Sequence, residues 1–221
     1  DWSSDVCSSD LGANSVNADG KPLDTRALIG RSVKGEDWFE DCISGRVKQG
    51  ESFVSDLRAD PMVADVYRNR GLTMTFAAPV FDESGRPVRV WSNRASWERI
   101  TRQIAREHLA SSGAAKDSLR VQIVNRSGVV IEDADEANIL KLNLVEGGSA
   151  AAKAVMAGQD GFTEEVGKKG DFLAGYVTEK GYGPYKGNKW GVIVLQDAAT
   201  ASAAATELGW FIAGIGLLVA R

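Results

Sequence analysis

The sequence is poor in the residues that build metal and disulfide frameworks. Its 221 residues include one His and two Cys, too few for a Cys/His zinc site of the usual kind or for a disulfide-dense scaffold. Charge of one sign is also scarce. Twenty-six basic and 30 acidic side chains leave a net charge of −4, which gives no footprint for a nucleic-acid backbone. No Walker loop, dinucleotide fingerprint or nucleophile elbow occurs. The lone His108 falls on a helix-like stretch without an obvious partner. The acids Asp133, Asp135 and Glu136 follow a strand and read as a solvated turn. The expectation is therefore a chain that is not an enzyme and carries no cofactor or metal. The rest of the composition, 43% hydrophobic and 25% charged, is ordinary for a globular protein. The length suits one large domain or two small ones.

Both ends are unusual. Residues 1–11 read DWSSDVCSSDL, with Ser3-Ser4-Asp5 repeated as Ser8-Ser9-Asp10. They have no apolar period and no turn logic, look like a twice-read sequencing adapter, and are set aside as a fusion scar would be. Residues 208–220 are uncharged and apolar on every side. As a helix this run would be about 20 Å long, short of the roughly 30 Å hydrocarbon core. Gly209, Gly214 and Gly216 are costly in a soluble helix but common in membrane helices, and Trp210 sits where an interfacial aromatic belongs. The expectation is a truncated transmembrane helix, with a buried C-terminal helix as the competing reading.

Between the ends, turn signals recur. Asn17-Ala-Asp-Gly20, Asp82-Glu-Ser-Gly85 and Asn125-Arg-Ser-Gly128 each separate two apolar stretches, the pattern of a tight hairpin whose Gly supplies a positive φ. Two similar hairpins about a hundred residues apart suggest two lobes of one architecture. In the first lobe, Asp37 is expected to cap a helix carrying Trp38, Phe39, Cys42 and Ile43, with Glu40 as its capping-box partner. Asp60-Pro61 marks a turn. Strands at 73–81 and 87–93 follow, then an amphipathic helix through Trp97, Ile100, Ile104 and Leu109, and a linker at Ser111-Ser112-Gly113. In the second lobe, strands are expected at 119–124, 129–132, 162–166, 172–178 and 190–195, with short helices at 135–142 and 149–157. Asp197 caps a helix that runs into the apolar tail.

The order of these motifs carries a resemblance. Asp37-Trp-Phe opens a helix; Asp65-Val-Tyr67, Phe76-Ala-Ala-Pro-Val-Phe-Asp82 with Gly85, and Val88-Arg-Val-Trp-Ser-Asn93 follow. Gly181-Tyr-Gly and Trp190-Gly-Val-Ile-Val close the series. From Gly12 to Arg221 the chain resembles the double Cache sensor domain of bacterial methyl-accepting chemotaxis receptors. The resemblance implies an α+β fold of two tandem PAS-like (Cache) lobes with antiparallel sheets: a membrane-distal lobe at 12–110, a membrane-proximal lobe at 117–196, and a stalk with the start of a transmembrane helix at 197–221. It also implies a homodimer in a bacterial inner membrane, with the sensor in the periplasm or outside the cell, anchored by its C-terminal helix. Occupancy by a small molecule would be relayed to a cytoplasmic signalling region. The same input domain also serves sensor histidine kinases and cyclic-dinucleotide cyclases, because fold does not fix output.

In this family the distal lobe usually holds the ligand. Strand alternation puts Arg89, Trp91 and Asn93 on one face and Val88, Val90 and Ser92 on the other. The first face combines a cation, an aromatic wall and an amide. The candidate ligand-binding residues are Trp38, Asp65, Tyr67, Trp91, Asn93 and Arg94, with Asp65 and Tyr67 on a loop and Arg94 following the strand, where it could pair with Glu98. Plain core packing competes as the reading for Trp38, packing against the long helix for Arg89 and Trp91, and an exposed loop position for Tyr67. Amino-acid-binding members carry an Arg two residues before the helix Trp and a Tyr after it, where this chain has Glu36 and Phe39. They also carry an Asp at the end of the distal strand, where it reads Ser92-Asn93-Arg94. The standard amino-acid clamp is absent, and a cation in place of that Asp favours an organic anion.

Overall fold

A computed structural model describes residues 16–17, 20–98, 101, 103–104, 107, 119–167, 170–183 and 185–202. These residues form two compact units. One runs to Gln103 and takes in Gly181–Asn188; the other runs from Ile104 to Lys180 and resumes at Lys189. The expected adapter segment at 1–11 and apolar tail at 208–220 lie outside the described residues, as do His108 and the linker at 111–113. Among the described residues no helix is long and apolar enough to cross a membrane.

The first unit is a four-stranded antiparallel sheet under short helices. Strands β1 (Phe53–Val54) and β2 (Arg58–Ala59) pair with β3 (Leu72–Phe81), which also pairs with β4 (Pro87–Ser96). Helix α1 (Asp37–Ile43) lies on β3 and β4. It buries Trp38, Phe39 and Cys42 against Ala77, Val33 and Val47. Its N-cap is Glu36 rather than the expected Asp37, and no side chain caps it there. Asp37 already lies in the first turn, and Glu40 reaches back to the Gly35 N–H instead. Burial, helped by the neighbouring Asp41 charge, pushes the Cys42 thiol up to about 11.

Asp60-Pro61 proves to be a helix start, not a simple turn. Pro61 opens α2 (Pro61–Tyr67), and Asp60 Oδ1 accepts from the N–H groups of Met62 and Val63. Asp at the N-cap followed by Pro at the first helical position is the favoured entry, because Pro lacks only an N–H that would be unpaired there. Gly71 then turns the chain into β3. Its φ is +66°, and a Cβ there would sit 2.3 Å from the Asp60 carbonyl oxygen. Of the expected amphipathic helix, Trp97, Glu98, Thr101, Gln103, Ile104 and Glu107 are helical. Trp97 is buried, but Ile104 is exposed and does not belong to a packed stripe.

The second unit is a five-stranded antiparallel sheet in the order β6-β5-β9-β8-β7. Its strands are β5 (Leu119–Val124), β6 (Val130–Glu132), β7 (Gly161–Gly167), β8 (Gly170–Thr178) and β9 (Gly191–Asp197). Helix α3 (Ala150–Met156), capped by Ser149, packs Ala151, Ala152 and Val155 on Val124, Ala174 and Ile193. Gly191 lets that helix approach, since a Cβ would sit 2.3 Å from Val155 Cγ1. The expected helix at 135–142 shrinks to a 3-10 turn at Glu136–Asn138. The cause is backbone competition: Leu140 N–H donates to Val130 C=O, and Val130 N–H donates to Leu142 C=O. Asp197 caps the next helical residues by accepting from Thr200 N–H at 2.8 Å, as expected.

The three turns share one geometry. In each, the Asn or Asp side chain accepts a backbone N–H four residues on, from Lys21, Arg86 or Val129. Its own N–H donates to the carbonyl of that same residue. The Gly three positions on has φ between 75° and 80°.

Candidate functional site

The two sheets bury different chemistry. The helix-covered face of the second carries Val124, Ala174 and Ile193, and its buried Gln122, opposite Ile193, donates to Asp133 Oδ2 at 2.7 Å. The covered face of the first becomes polar away from Ala77. Register places Thr73 opposite Ser96, Thr75 opposite Arg94 and Ala77 opposite Ser92. Thr73 and Thr75 are fully buried. Buried polar groups are retained where they are paired or where they meet something else.

Most of this polar floor is paired. Thr73 Oγ1 donates to Ala95 C=O, and Thr75 Oγ1 accepts from Arg58 Nη2 at 3.0 Å. Ser55 exchanges bonds with Thr75: its N–H donates to Thr75 C=O, and its Oγ accepts from Thr75 N–H. Asn188 Nδ2 donates to Ser55 C=O at 3.0 Å. Arg58 Nη1 lies 3.0 Å from Asp37 Oδ1, and Nη2 lies 3.8 Å from Glu36 Oε2.

Arg94 is the centre of the arrangement. Its Nη1 donates to Ser92 Oγ at 2.6 Å, its Nε lies 3.5 Å from Asp60 Oδ2, and its guanidinium carbon stands 4.9 Å from the centroid of the Trp38 ring. A guanidinium at this distance from an indole is held by a cation–π attraction. Phe39 meets Trp38 edge-on at 5.9 Å. Two donors are left over. Trp38 Nε1 and Arg94 Nη2 are the only buried side-chain nitrogen or oxygen atoms among the described residues without a hydrogen-bond partner, and both are N–H groups. Each such group, left unmade, costs about 1–3 kcal/mol.

The structure brings together only two of the six expected residues, Trp38 and Arg94. Trp91 is 68% exposed, and Asn93 is exposed on the same face. Both point away from Trp38, because β4 continues to Ser96 and turns Val90, Ser92 and Arg94 toward α1. Strand alternation was right, but the covered face is the one with Val90. Asp65 and Tyr67 stand exposed on α2 rather than on a loop. Arg94 lies inside the strand and faces Asp60, not Glu98. The residues missed were Arg58, Asp60, Thr73 and Thr75. Their signal was the polar alternation Thr73-x-Thr75 opposite Ser92-x-Arg94-x-Ser96. Among the described residues no group of three or more His, Cys, Asp or Glu could hold a metal ion.

No family model and no curated protein matches the chain. Solved structures do. The periplasmic sensory domain of the Campylobacter jejuni chemoreceptor Tlp1 superposes with a TM-score of 0.56 at 17% identity, over 82% of this chain and 64% of that one. The fold is that of a chemoreceptor sensory domain. The same sensory-domain fold is found in the ligand-binding domain of the Pseudomonas aeruginosa PAO1 chemoreceptor PctB in complex with L-Gln, with a TM-score of 0.52 at 14% identity, over 89% of this chain and 69% of that one. It also occurs in PctC of the same strain in complex with GABA, with a TM-score of 0.52 at 16% identity, over 76% and 64%. The chain thus spans 64% of the length of the Tlp1 domain.

Proposed function

We propose that the chain is the extracytoplasmic small-molecule sensing domain of a transmembrane chemoreceptor. The first unit binds the ligand, and the segment after Asp197 relays its occupancy through a membrane helix to a cytoplasmic signalling region. The observation that carries this reading is the polar, partly unsatisfied floor beneath Trp38, within a fold whose solved neighbours are the sensory domain of Tlp1 and chemoreceptor domains holding glutamine or GABA. In the second unit the buried Gln122 and Asp133 pair with each other, whereas the floor of the first leaves two donors unpaired. The finer parts of the proposal are the homodimer, a periplasmic location, and lobes at 12–110 and 117–196 joined to a stalk at 197–221.

A ligand shifts such a receptor only by binding its two states unequally. The test is thermal shift followed by isothermal titration of the chain against amino acids, organic acids, polyamines, sugars and nucleobases. Saturable binding of at least one class, weakened by Arg94→Gln, supports the proposal. Failure of every class on folded protein refutes it.

A further inference from the structure

The first unit is not continuous in sequence. It takes in Gly181–Asn188, a strap that the chain inserts between β8 and β9. Two residues suffice to close an antiparallel hairpin, so the extra length calls for a reason. The strap holds a defined shape. Tyr182 and Tyr185 exchange backbone bonds at 2.9 and 3.1 Å, and a Cβ on Gly181 would sit 2.3 Å from the Tyr185 carbonyl oxygen. Both ends turn through the left-handed region. Gly181 has φ +76°, and Lys189, where the second unit resumes, has φ +59°. Glycine enters that region freely, whereas lysine is held there by its neighbours. At the base of the strap, Glu179 N–H donates to Trp190 C=O at 2.8 Å and Trp190 N–H to Glu179 Oε2 at 3.4 Å. The last strap residue, Asn188, donates from Nδ2 to the Ser55 carbonyl at 3.0 Å. Ser55 is 5% exposed. It exchanges bonds with Thr75, whose hydroxyl receives Arg58.

We propose that this strap couples the polar floor of the first unit to β9, with Asn188 as the positioning residue and Lys189 as the hinge. The inference rests on the sensing reading above and adds the element through which a change in the floor leaves the first unit. Asn188 is adjacent to the hinge, and Gly191, the first residue of β9, lies two residues beyond it. A hydrogen bond of this kind tolerates little change in length or angle. A displaced Ser55 carbonyl therefore either breaks the Asn188 bond or carries Asn188 with it. Trp190 is pinned to Glu179 on the far side of the hinge, so a displaced Asn188 changes the backbone angles of Lys189 and loads the start of β9. The other end of that strand is Asp197, which caps the next helical residues. Coupling free energy is reciprocal: the strap also holds the Ser55 carbonyl, and through Ser55 the contact of the floor with Thr75.

The experiment is a double-mutant cycle on the full chain without ligand: wild type, Ser55→Ala, Asn188→Ala and the double variant, read by amide hydrogen exchange, with urea denaturation as the measure of global stability. Ser55→Ala removes the hydroxyl that receives the Thr75 N–H and keeps the carbonyl that Asn188 uses. Thr75→Val, which removes the acceptor of Arg58, is a second perturbation of the same floor. The expected result is that either change speeds exchange of the Glu179 and Val192 amides by about threefold or more beyond the change in global stability, and that this response vanishes in the Asn188→Ala background. Lys189→Gly frees the hinge and leaves Asn188 in place; it should keep the Thr75 amide as protected as in wild type and still abolish the response. If Asn188 were merely structural, Asn188→Ala would raise exchange in the strap and the floor, and the response at Glu179 and Val192 would persist. That persistence overturns the inference, as does the absence of any response to both floor variants, or a full response in Lys189→Gly. The sensing reading does not depend on these outcomes and falls only if the compound panel above fails to bind.

Discussion

Replacing Asp60 by Asn separates two roles of one carboxylate. Its Oδ1 receives the Met62 N–H at 2.8 Å and the Val63 N–H at 3.4 Å, and Asn caps a helix about as well as Asp. The cap should survive. What disappears is the negative charge 3.5 Å from Arg94 Nε, in a pair whose side chains are 6% and 19% exposed. Breaking a fully buried pair costs about 3–5 kcal/mol, and an exposed one about 0–1 kcal/mol. The long contact and the partial exposure of Arg94 place this pair at about 1–2 kcal/mol. Binding should move the other way. An oxyanion on Arg94 would lie roughly 6–8 Å from the Asp60 carboxylate, a repulsion of about 2 kcal/mol at an effective dielectric of ~20. Asp60→Asn should therefore be less stable in urea denaturation followed at the Trp38 resonance, yet bind carboxylates about thirtyfold more tightly. Asp60→Ala should lose about a further 1 kcal/mol with the cap. An Asp60→Asn protein of unchanged stability, or one that binds carboxylates more weakly, would refute the reasoning.

Trp91→Ala should leave carboxylate affinity unchanged and stability within about 0.5 kcal/mol, since the ring is exposed on the uncovered face of β4; calorimetry checks the first and denaturation the second. Gly128→Ala should cost about 2–4 kcal/mol, because φ is +79° and a Cβ would sit 2.5 Å from Val145 Cγ2. Gly85→Ala, with open space around it, should cost only about 1–2 kcal/mol from backbone strain. Bonds from Ser84 and Arg86 hold the Asp82 carboxyl down at about 2. Its folded value lies below the unfolded one, so its contribution to the turn is complete above about pH 4 and is lost as pH falls toward 2. A carboxyl NMR titration should find that low midpoint, and Asp82→Asn should keep the turn while removing its pH dependence, as Asn17 and Asn125 already show for the same geometry. Cys42 should resist iodoacetamide in the folded protein and react once unfolded, because burial suppresses its thiolate.

The parts legible in the sequence were those governed by local rules. Each Asn/Asp-x-x-Gly turn was visible because one side chain and one glycine determine it. The five strands of the second unit were visible because short runs containing Val, Ile, Phe or Tyr lie between Gly-rich or Asn/Asp turn signals. Asp197 announced its helix as a cap. The errors arose where a choice depended on tertiary pairing. The 135–142 segment has helical composition, but Val130 captures its backbone groups. The face of β4 that α1 covers could not be read from alternation alone, since both faces mix apolar or aromatic side chains with one Arg. A large exposed Trp91 was the more conspicuous side chain, and Thr73 and Thr75 were ordinary strand residues until their register with Ser96 and Arg94 was known.

The most direct test is a high-resolution crystal structure of the chain grown with whichever compound of the titration panel binds most tightly. A ligand on the polar floor of the first unit, with an atom within about 3 Å of the Arg94 guanidinium, is the expected result. Density for that ligand on the Trp91 face, or both unpaired donors taken up by ordered water with the ligand elsewhere, would contradict it.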